Sequence, residues 1–194
     1  VDMYIPGFQP YVDPKTGEKI NIRMIDVLTH SSGLPSYVSP EVVIKAKGKD
    51  DPDSLMSYIA TMKRIYKPTT EFEYSCLNFI TLQNVLQNIT GMTLADYAQK
   101  NIFDVLGMKH TTYLPKNKPE IMKLVAPTEK KPDGECFLGE VHDPLARVMN
   151  HGNSGNAGVF SNAEDLSILA AALMNGGEFN GKQVLGKLTV ETMT

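Results

Sequence analysis

Several kinds of signal are missing or scarce in this sequence, and each one narrows what the chain can do. Only two cysteines, Cys76 and Cys136, occur in 194 residues, too few for a disulfide framework. No apolar run approaches a membrane span, and the net charge of −3 comes without any run of lysine or arginine. Nucleic acid and anionic membranes are therefore not expected partners. No His-Glu-x-x-His pair occurs, so no metal or other cofactor is expected.

The residues that are present have the composition of an ordinary globular domain. Apolar residues make up 42% and charged residues 21% of the chain, and its 194 residues are enough to bury one core. No internal repeat, low-complexity tract or linker divides the sequence. We therefore expect residues 1–194 to belong to a single domain.

The clearest predicted helix runs from about Ser75 to Thr90. Apolar side chains recur within it at steps of three and four residues, and Gly91 stands where a helix ends. The recurring apolar side chains are Phe79, Leu82, Leu86 and Ile89. This spacing predicts that those four residues share one face.

Further helices and a few short strands are predicted along the rest of the chain. Capping residues and apolar periodicity indicate helices over residues 22–29, 40–47, 54–65, 94–106, 162–175 and 187–193. Asp13–Gly17 and Asn180-Gly181 have the chemistry of turns, and short strands are also indicated at 124–125 and 137–138. The predicted fold class is mainly α with a few short strands.

Tyr74-Ser75-Cys76 resembles the middle catalytic motif of the serine β-lactamase and penicillin-binding-protein family, which in class C enzymes is Tyr-x-Asn. Residues 26–35 resemble the family's DLLTHTSGLP run. Residues 141–161 resemble its VHD…GHAGLFS stretch, with Asn156 in place of the histidine. The resemblance spans nearly the whole chain. It implies the helical region of the α+β β-lactamase/transpeptidase-like fold.

Two of the family's three catalytic motifs are not found in their expected places. No serine has a lysine three residues later, so the Ser-x-x-Lys nucleophile motif does not occur. Lys15-Thr16-Gly17 has the sequence of the Lys-Thr-Gly motif, which the family places after the tyrosine motif. Here it precedes Tyr74 and lies in a predicted turn. We therefore expect residues 1–194 to be a partial domain, from after the nucleophile helix to before the last catalytic strand.

The resemblance implies that Tyr74 is a general base or proton relay, and that Cys76, Asn156 and Gly158 line the substrate site. A free tyrosine, with a pKa of about 10, is a poor base at neutral pH, and nearby ammonium groups lower that value. In the family, the lysines of the two missing motifs would supply those charges. A thiol at position 76 is also a weaker hydrogen-bonding group than the usual amide.

Both motif residues also have structural interpretations. Tyr74 can be a tyrosine packed at a helix start with its hydroxyl bound to backbone. Cys76 can be a reactive thiol at a helix N-terminus or, as the more ordinary alternative, a small buried apolar residue.

For the intact parent, the resemblance implies acyl transfer through a serine ester followed by hydrolysis. The substrate would be a β-lactam, a peptidoglycan peptide or an ester, and the chain alone is expected to be inactive. The alternative is a non-catalytic module of the same fold that binds cell-wall peptide or another protein. An extracytoplasmic location is implied by the resemblance alone. An exposed apolar surface is expected to cause some self-association.

Overall fold

A computed structural model describes all 194 residues and confirms the predicted fold class, because helices dominate it. The α-helices are α1 (Met24–Leu28), α2 (Pro40–Lys47), α3 (Pro52–Thr61), α4 (Cys76–Thr90), α5 (Leu94–Ala98), α6 (Asp104–Leu106), α7 (Pro119–Met122), α8 (Ala163–Met174) and α9 (Lys187–Met193). Two π-helical segments, Gln99–Phe103 and Leu145–Met149, and a 3₁₀ turn at Pro115–Asn117 complete the helical structure. None of these helices is both long and apolar enough to cross a membrane.

The strands form three separate two-stranded antiparallel hairpins. They are β1 (Tyr11–Val12) with β2 (Lys19–Ile20), β3 (Glu129–Lys130) with β4 (Cys136–Phe137), and β5 (Glu178–Phe179) with β6 (Lys182–Gln183). The Asn180-Gly181 turn is confirmed, since both of its residues have positive φ as such a hairpin requires. The strand predicted at 124–125 is wrong, because Leu124 N–H bonds to Ile121 O and continues the turn that follows α7.

The contacts group the chain into two compact units. Unit 1 contains residues 1–94 and 141–158, and unit 2 contains residues 95–140 and 159–194. Each unit has its own cluster of buried apolar side chains. The expectation that residues 1–194 form a single partial domain stays a prediction.

The long helix α4 of unit 1 buries a face that differs from the predicted one. Its bounds and its end at Gly91, which has a φ of 68°, are confirmed. Its buried residues are Leu77, Asn78, Ile80, Thr81, Gln83 and Val85. Ile89 of the predicted stripe is exposed instead. The prediction failed because three of the six buried residues are polar and do not register in an apolar pattern.

A loop before this helix, residues 30–36, is hydrogen-bonded to the first turn of α4. His30 Nδ1 accepts the Ser75 N–H at 3.1 Å, and Cys76 N–H donates to Ser36 O at 3.0 Å. The first N–H groups of a helix have no partner within it, so the loop supplies the acceptors that they need.

The same loop also binds side chains of that first turn. Ser75 Oγ donates to Pro35 O at 2.6 Å, and Ser32 Oγ donates to Asn78 Oδ1, also at 2.6 Å. Ser32, Ser75 and Asn78 are all fully buried, so these bonds are shielded from competing water. The loop and the start of α4 therefore form one continuous structure.

A second segment, residues 153–156, lies against the middle of α4. Gln83 Oε1 accepts the Gly155 N–H at 2.8 Å, and Gln83 Nε2 donates to Asn153 O at 2.8 Å. A Cβ atom at Gly155 would lie 2.1 Å from Phe79 O, so only glycine allows this approach. This close contact sets the distance between the segment and the helix.

Unit 2 buries a small core of five apolar residues and leaves other apolar side chains in solvent. The core residues are Ala98, Phe103, Leu106, Met108 and Ala172. Met174 at the end of α8 is 90% exposed, and Leu188 and Met193 of α9 are exposed as well. Self-association through such a surface stays a prediction.

The Gly155→Ala substitution is expected to lower the free energy of unfolding by about 1–3 kcal/mol, because its methyl group would overlap the Phe79 carbonyl. Urea titration followed by circular dichroism measures this loss. Gly186→Ala is the matched control, since Gly186 has a φ of −70° and an added Cβ meets no atom closer than 3.6 Å. Equal stability of the two variants would refute the close-contact argument.

Burial lowers the pKa of His30, so protonation of this residue is harder in the folded chain than in the unfolded chain. The stabilisation from a neutral His30 is fully present above the ordinary histidine pKa of about 6.5 and is lost as the pH falls below it. We expect the decline in unfolding free energy between about pH 7.5 and pH 5 to be shallower in His30→Asn than in the natural chain.

Urea titrations at each pH measure the two slopes. Asparagine is the chosen replacement because it tolerates the left-handed backbone of position 30, where φ is 57°. The variant His110→Asn shows how much of any change comes from losing one histidine. Parallel slopes for the natural chain and His30→Asn would contradict the prediction.

Candidate active site

A cleft of about 280 Å³ lies at the start of α4 in unit 1. It is lined by His30, Tyr74, Ser75, Cys76, Phe79, Gly155 and Asn156. Three of the four residues predicted for the site, Tyr74, Cys76 and Asn156, therefore share one cleft although they lie up to 82 positions apart. Gly158 is not among the lining residues, and Gly155 takes its place in the wall.

Tyr74 lies two residues before the start of α4 and presents its phenol to solvent. The side chain is 61% exposed, so it is not packed into the core. Its ring lies against the His30 imidazole, with ring centroids 4.6 Å apart and the planes tilted by 37°. The imidazole therefore supports one side of the phenol ring and limits its orientation.

His30 also lines the cleft, although no sequence pattern predicted it there. Its ring contacts Phe72, Tyr74 and Phe79, so it lies at the centre of an aromatic cluster. Its Nδ1 accepts a backbone N–H and so carries no hydrogen, which places the proton of the neutral ring on Nε2. The available signal was its position within the 26–35 run that resembles the family, because histidine spacing alone pointed to nothing.

Cys76 is half-buried at the first position of α4. Burial is the main cause that raises the pKa of its thiol, and the carboxylate of Asp143 raises it further. A hydrogen bond from the Asn156 side chain acts in the opposite direction. The thiol is consequently protonated at neutral pH, as expected for a small buried residue and not for a thiolate nucleophile.

Ser75 is the only serine that lines the cleft, and its hydroxyl is already engaged. Its Oγ donates to Pro35 O, and the residue has no exposed surface. The cleft lining contains no lysine or arginine. The described residues therefore present a phenol, an imidazole, a thiol and an amide, groups that can orient a polar substrate and pass on a proton.

No group of three or more histidine, cysteine, aspartate or glutamate side chains lies close enough together to hold a metal ion. The expectation that the chain uses no metal or cofactor stays a prediction.

Comparison with known proteins places this arrangement in a family. The model of the β-lactamase family matches residues 1–194. The chain is 32% identical over 209 aligned residues to N-acetylmuramyl-L-alanine amidase from Bacillus subtilis, and the match covers all of this chain and 47% of that protein. The chain thus spans about half the length of the curated relatives that it matches.

Solved structures show the same fold at lower sequence identity. The octameric penicillin-binding protein homologue from Pyrococcus abyssi superposes with a TM-score of 0.68 at 21% identity, over 99% of this chain and 44% of that one. A D-stereospecific amidohydrolase from a Streptomyces species superposes with a TM-score of 0.66 at 20% identity, over 100% of this chain and 56% of that one. Since the family model covers every residue, the chain belongs to the β-lactamase family of serine hydrolases.

Proposed function

We propose that this chain supplies Tyr74 and the adjoining cleft wall to the acyl-transfer site of a serine hydrolase that cleaves amide bonds in cell-wall peptides. The observation that carries the proposal is the cleft that brings Tyr74, Cys76 and Asn156 together at the start of α4. The amidase from Bacillus subtilis, named for an amide of N-acetylmuramyl-L-alanine, supports this substrate class. A cell-wall substrate in turn favours a location outside the cytoplasm.

The proposed reaction has two steps. A serine outside these residues attacks the amide carbonyl, its proton passes to the Tyr74 oxygen, and that proton is then given to the leaving nitrogen. The carbon–nitrogen bond breaks as the serine ester forms. Water then hydrolyses the ester by the same proton route and releases the acid.

His30 has a supporting role in this scheme. Because burial lowers its pKa, it is neutral at working pH and adds no positive charge beside the phenol. Its contribution is the packed ring face that holds the Tyr74 ring in position. Lysines from the parts of the enzyme outside this chain would provide the cations that make a phenol an effective base.

A second candidate function is a module of the same fold that binds cell-wall peptide without cleaving it. The observation that favours it is Cys76, a protonated thiol where the family motif carries an amide. Binding of soluble peptidoglycan fragments by the intact protein, with no acid product released over many hours, would support this candidate over the hydrolase.

We expect these 194 residues by themselves to hydrolyse neither a chromogenic cephalosporin nor a short-chain p-nitrophenyl ester. The cleft holds no poised alcohol, since the Ser75 hydroxyl is bound to Pro35 O. Absorbance assays with the purified chain measure the rate against buffer. A rate above buffer that disappears on Ser75→Ala would overturn this expectation.

In the intact enzyme, Tyr74→Phe is expected to lower kcat by about 10²–10⁴-fold, because the phenol oxygen that relays the proton is removed while the ring and its packing remain. Steady-state hydrolysis of a muramyl peptide measures the change. Tyr4→Phe, which removes a hydroxyl outside the cleft, should leave kcat within about twofold. A Tyr74→Phe enzyme with unchanged kcat would rule out the relay.

A further inference from the structure

The orientation of the Asn156 amide can be deduced from backbone groups. Gln83 Oε1 accepts the N–H of Gly155, and Gln83 Nε2 donates to the carbonyl of Asn153, both at 2.8 Å. A backbone N–H can only donate and a carbonyl can only accept. The oxygen and the nitrogen of the Gln83 amide are therefore each identified.

The hydrogen-bonding roles of two more side chains, Asn150 and Ser154, follow from the orientation of the Gln83 amide. Asn150 Nδ2 lies 3.4 Å from Gln83 Oε1, and because that oxygen only accepts, the Asn150 atom is a donor. The same nitrogen donates to Ser154 Oγ at 2.7 Å. Ser154 Oγ in turn donates to Asn156 Oδ1 at 2.6 Å. The Asn156 oxygen is thus held by the Ser154 hydroxyl, and its Nδ2 is the end left for the cleft.

The side chains that connect Gln83 to Asn156 lie in the protein interior. Gln83, Asn150 and Ser154 are each at most 4% exposed, so water does not compete for their bonds. Rotation of the Asn156 amide by half a turn would break the 2.6 Å hydrogen bond that its oxygen accepts from the Ser154 hydroxyl.

Asn156 lines the cleft together with Cys76, and its side chain acts to lower the pKa of that thiol against the effect of burial. A thiol is a poor acceptor, so it competes only weakly for the two N–H groups that an amide nitrogen carries. A ligand oxygen that entered this cleft would therefore find an oriented donor.

We propose that Asn156 binds a carbonyl oxygen of the substrate, and that Gln83, Asn150 and Ser154 are the positioning residues that aim its amide. The inference rests on the proposed function, because it assigns the substrate contact of the same site. The favoured substrate is an acylated peptide, which offers a second carbonyl beside the bond that is cleaved. A simple ester lacks that group.

This assignment accounts for two departures from the family pattern at once. Cys76 stands where the motif has asparagine, and Asn156 stands where the related stretch has histidine. Both residues line the same cleft. The cleft therefore retains one amide side chain, supplied from residue 156 instead of residue 76.

The first test uses thiol chemistry in the 194-residue chain with Cys136→Ser, so that Cys76 is the only thiol. Asn156→Leu removes the donors without adding charge, and Asn156→Asp keeps the acceptor for Ser154. We expect both to slow alkylation of Cys76 by iodoacetamide near pH 8 by about tenfold, because the thiolate loses its hydrogen bond. Ser154→Ala should slow it less, and the exposed control Asn21→Asp should not change it.

The second test measures binding of N-acetylmuramyl-L-alanyl-D-isoglutamine to the same chain. Its addition should shift the Asn156 side-chain amide resonance in nitrogen–proton spectra, and Asn156→Leu should weaken binding by about tenfold while Asn21→Asp leaves it unchanged. Normal alkylation and undiminished binding in the Asn156 variants would overturn the inference, as would failure of the natural chain to bind.

The two proposals fail in different ways. Binding that depends on Asn156 in an intact protein that never releases product would overturn the hydrolase and leave the assignment of Asn156 in place. Full turnover of a muramyl peptide by intact Asn156→Leu enzyme would overturn the assignment and leave the hydrolase in place.

Discussion

The hydrogen bond from Ser75 N–H to His30 Nδ1 joins the two segments on which the cleft depends. It gives an acceptor to one of the N–H groups that a helix start leaves unpaired, and so ties the loop at residues 30–36 to α4. It also fixes which nitrogen of the imidazole carries the proton. Because the ring is neutral and packed against Tyr74, one interaction determines both the shape and the charge of this side of the cleft.

Much of the fold could be predicted from the sequence, because helix ends and turns depend on residues that are adjacent in the chain. The end of α4 at Gly91, the hairpin turn at Asn180-Gly181 and the bounds of α9 are examples. The buried face of α4 could not be predicted in this way. Gln83 is buried because it forms hydrogen bonds with backbone groups some 70 residues later in the chain. The apolar periodicity of a single helix carries no information about such a distant partner.

Part of the cleft lining could be predicted for a different reason. Tyr74, Cys76 and Asn156 were indicated by a resemblance to family motifs, and the fold brings them to one cleft. The place of His30 depends on which of its nitrogens accepts a hydrogen bond, a property that appears only when loop and helix are seen together. Gly158 lies in the right stretch of sequence but does not line the cleft.

The contact of Gly155 with the carbonyl of Phe79 has a consequence for how such a cleft can change over time. Main-chain atoms of Gly155 and Phe79 set the distance between the helix and the facing segment, so replacement of Cys76 or Asn156 alters a chemical group of the cleft without moving these atoms. An amide and a thiol can be exchanged between these two positions while the separation of the two segments stays the same. A single scaffold of this kind can therefore acquire new substrate preferences through a few substitutions, while its dimensions are inherited intact.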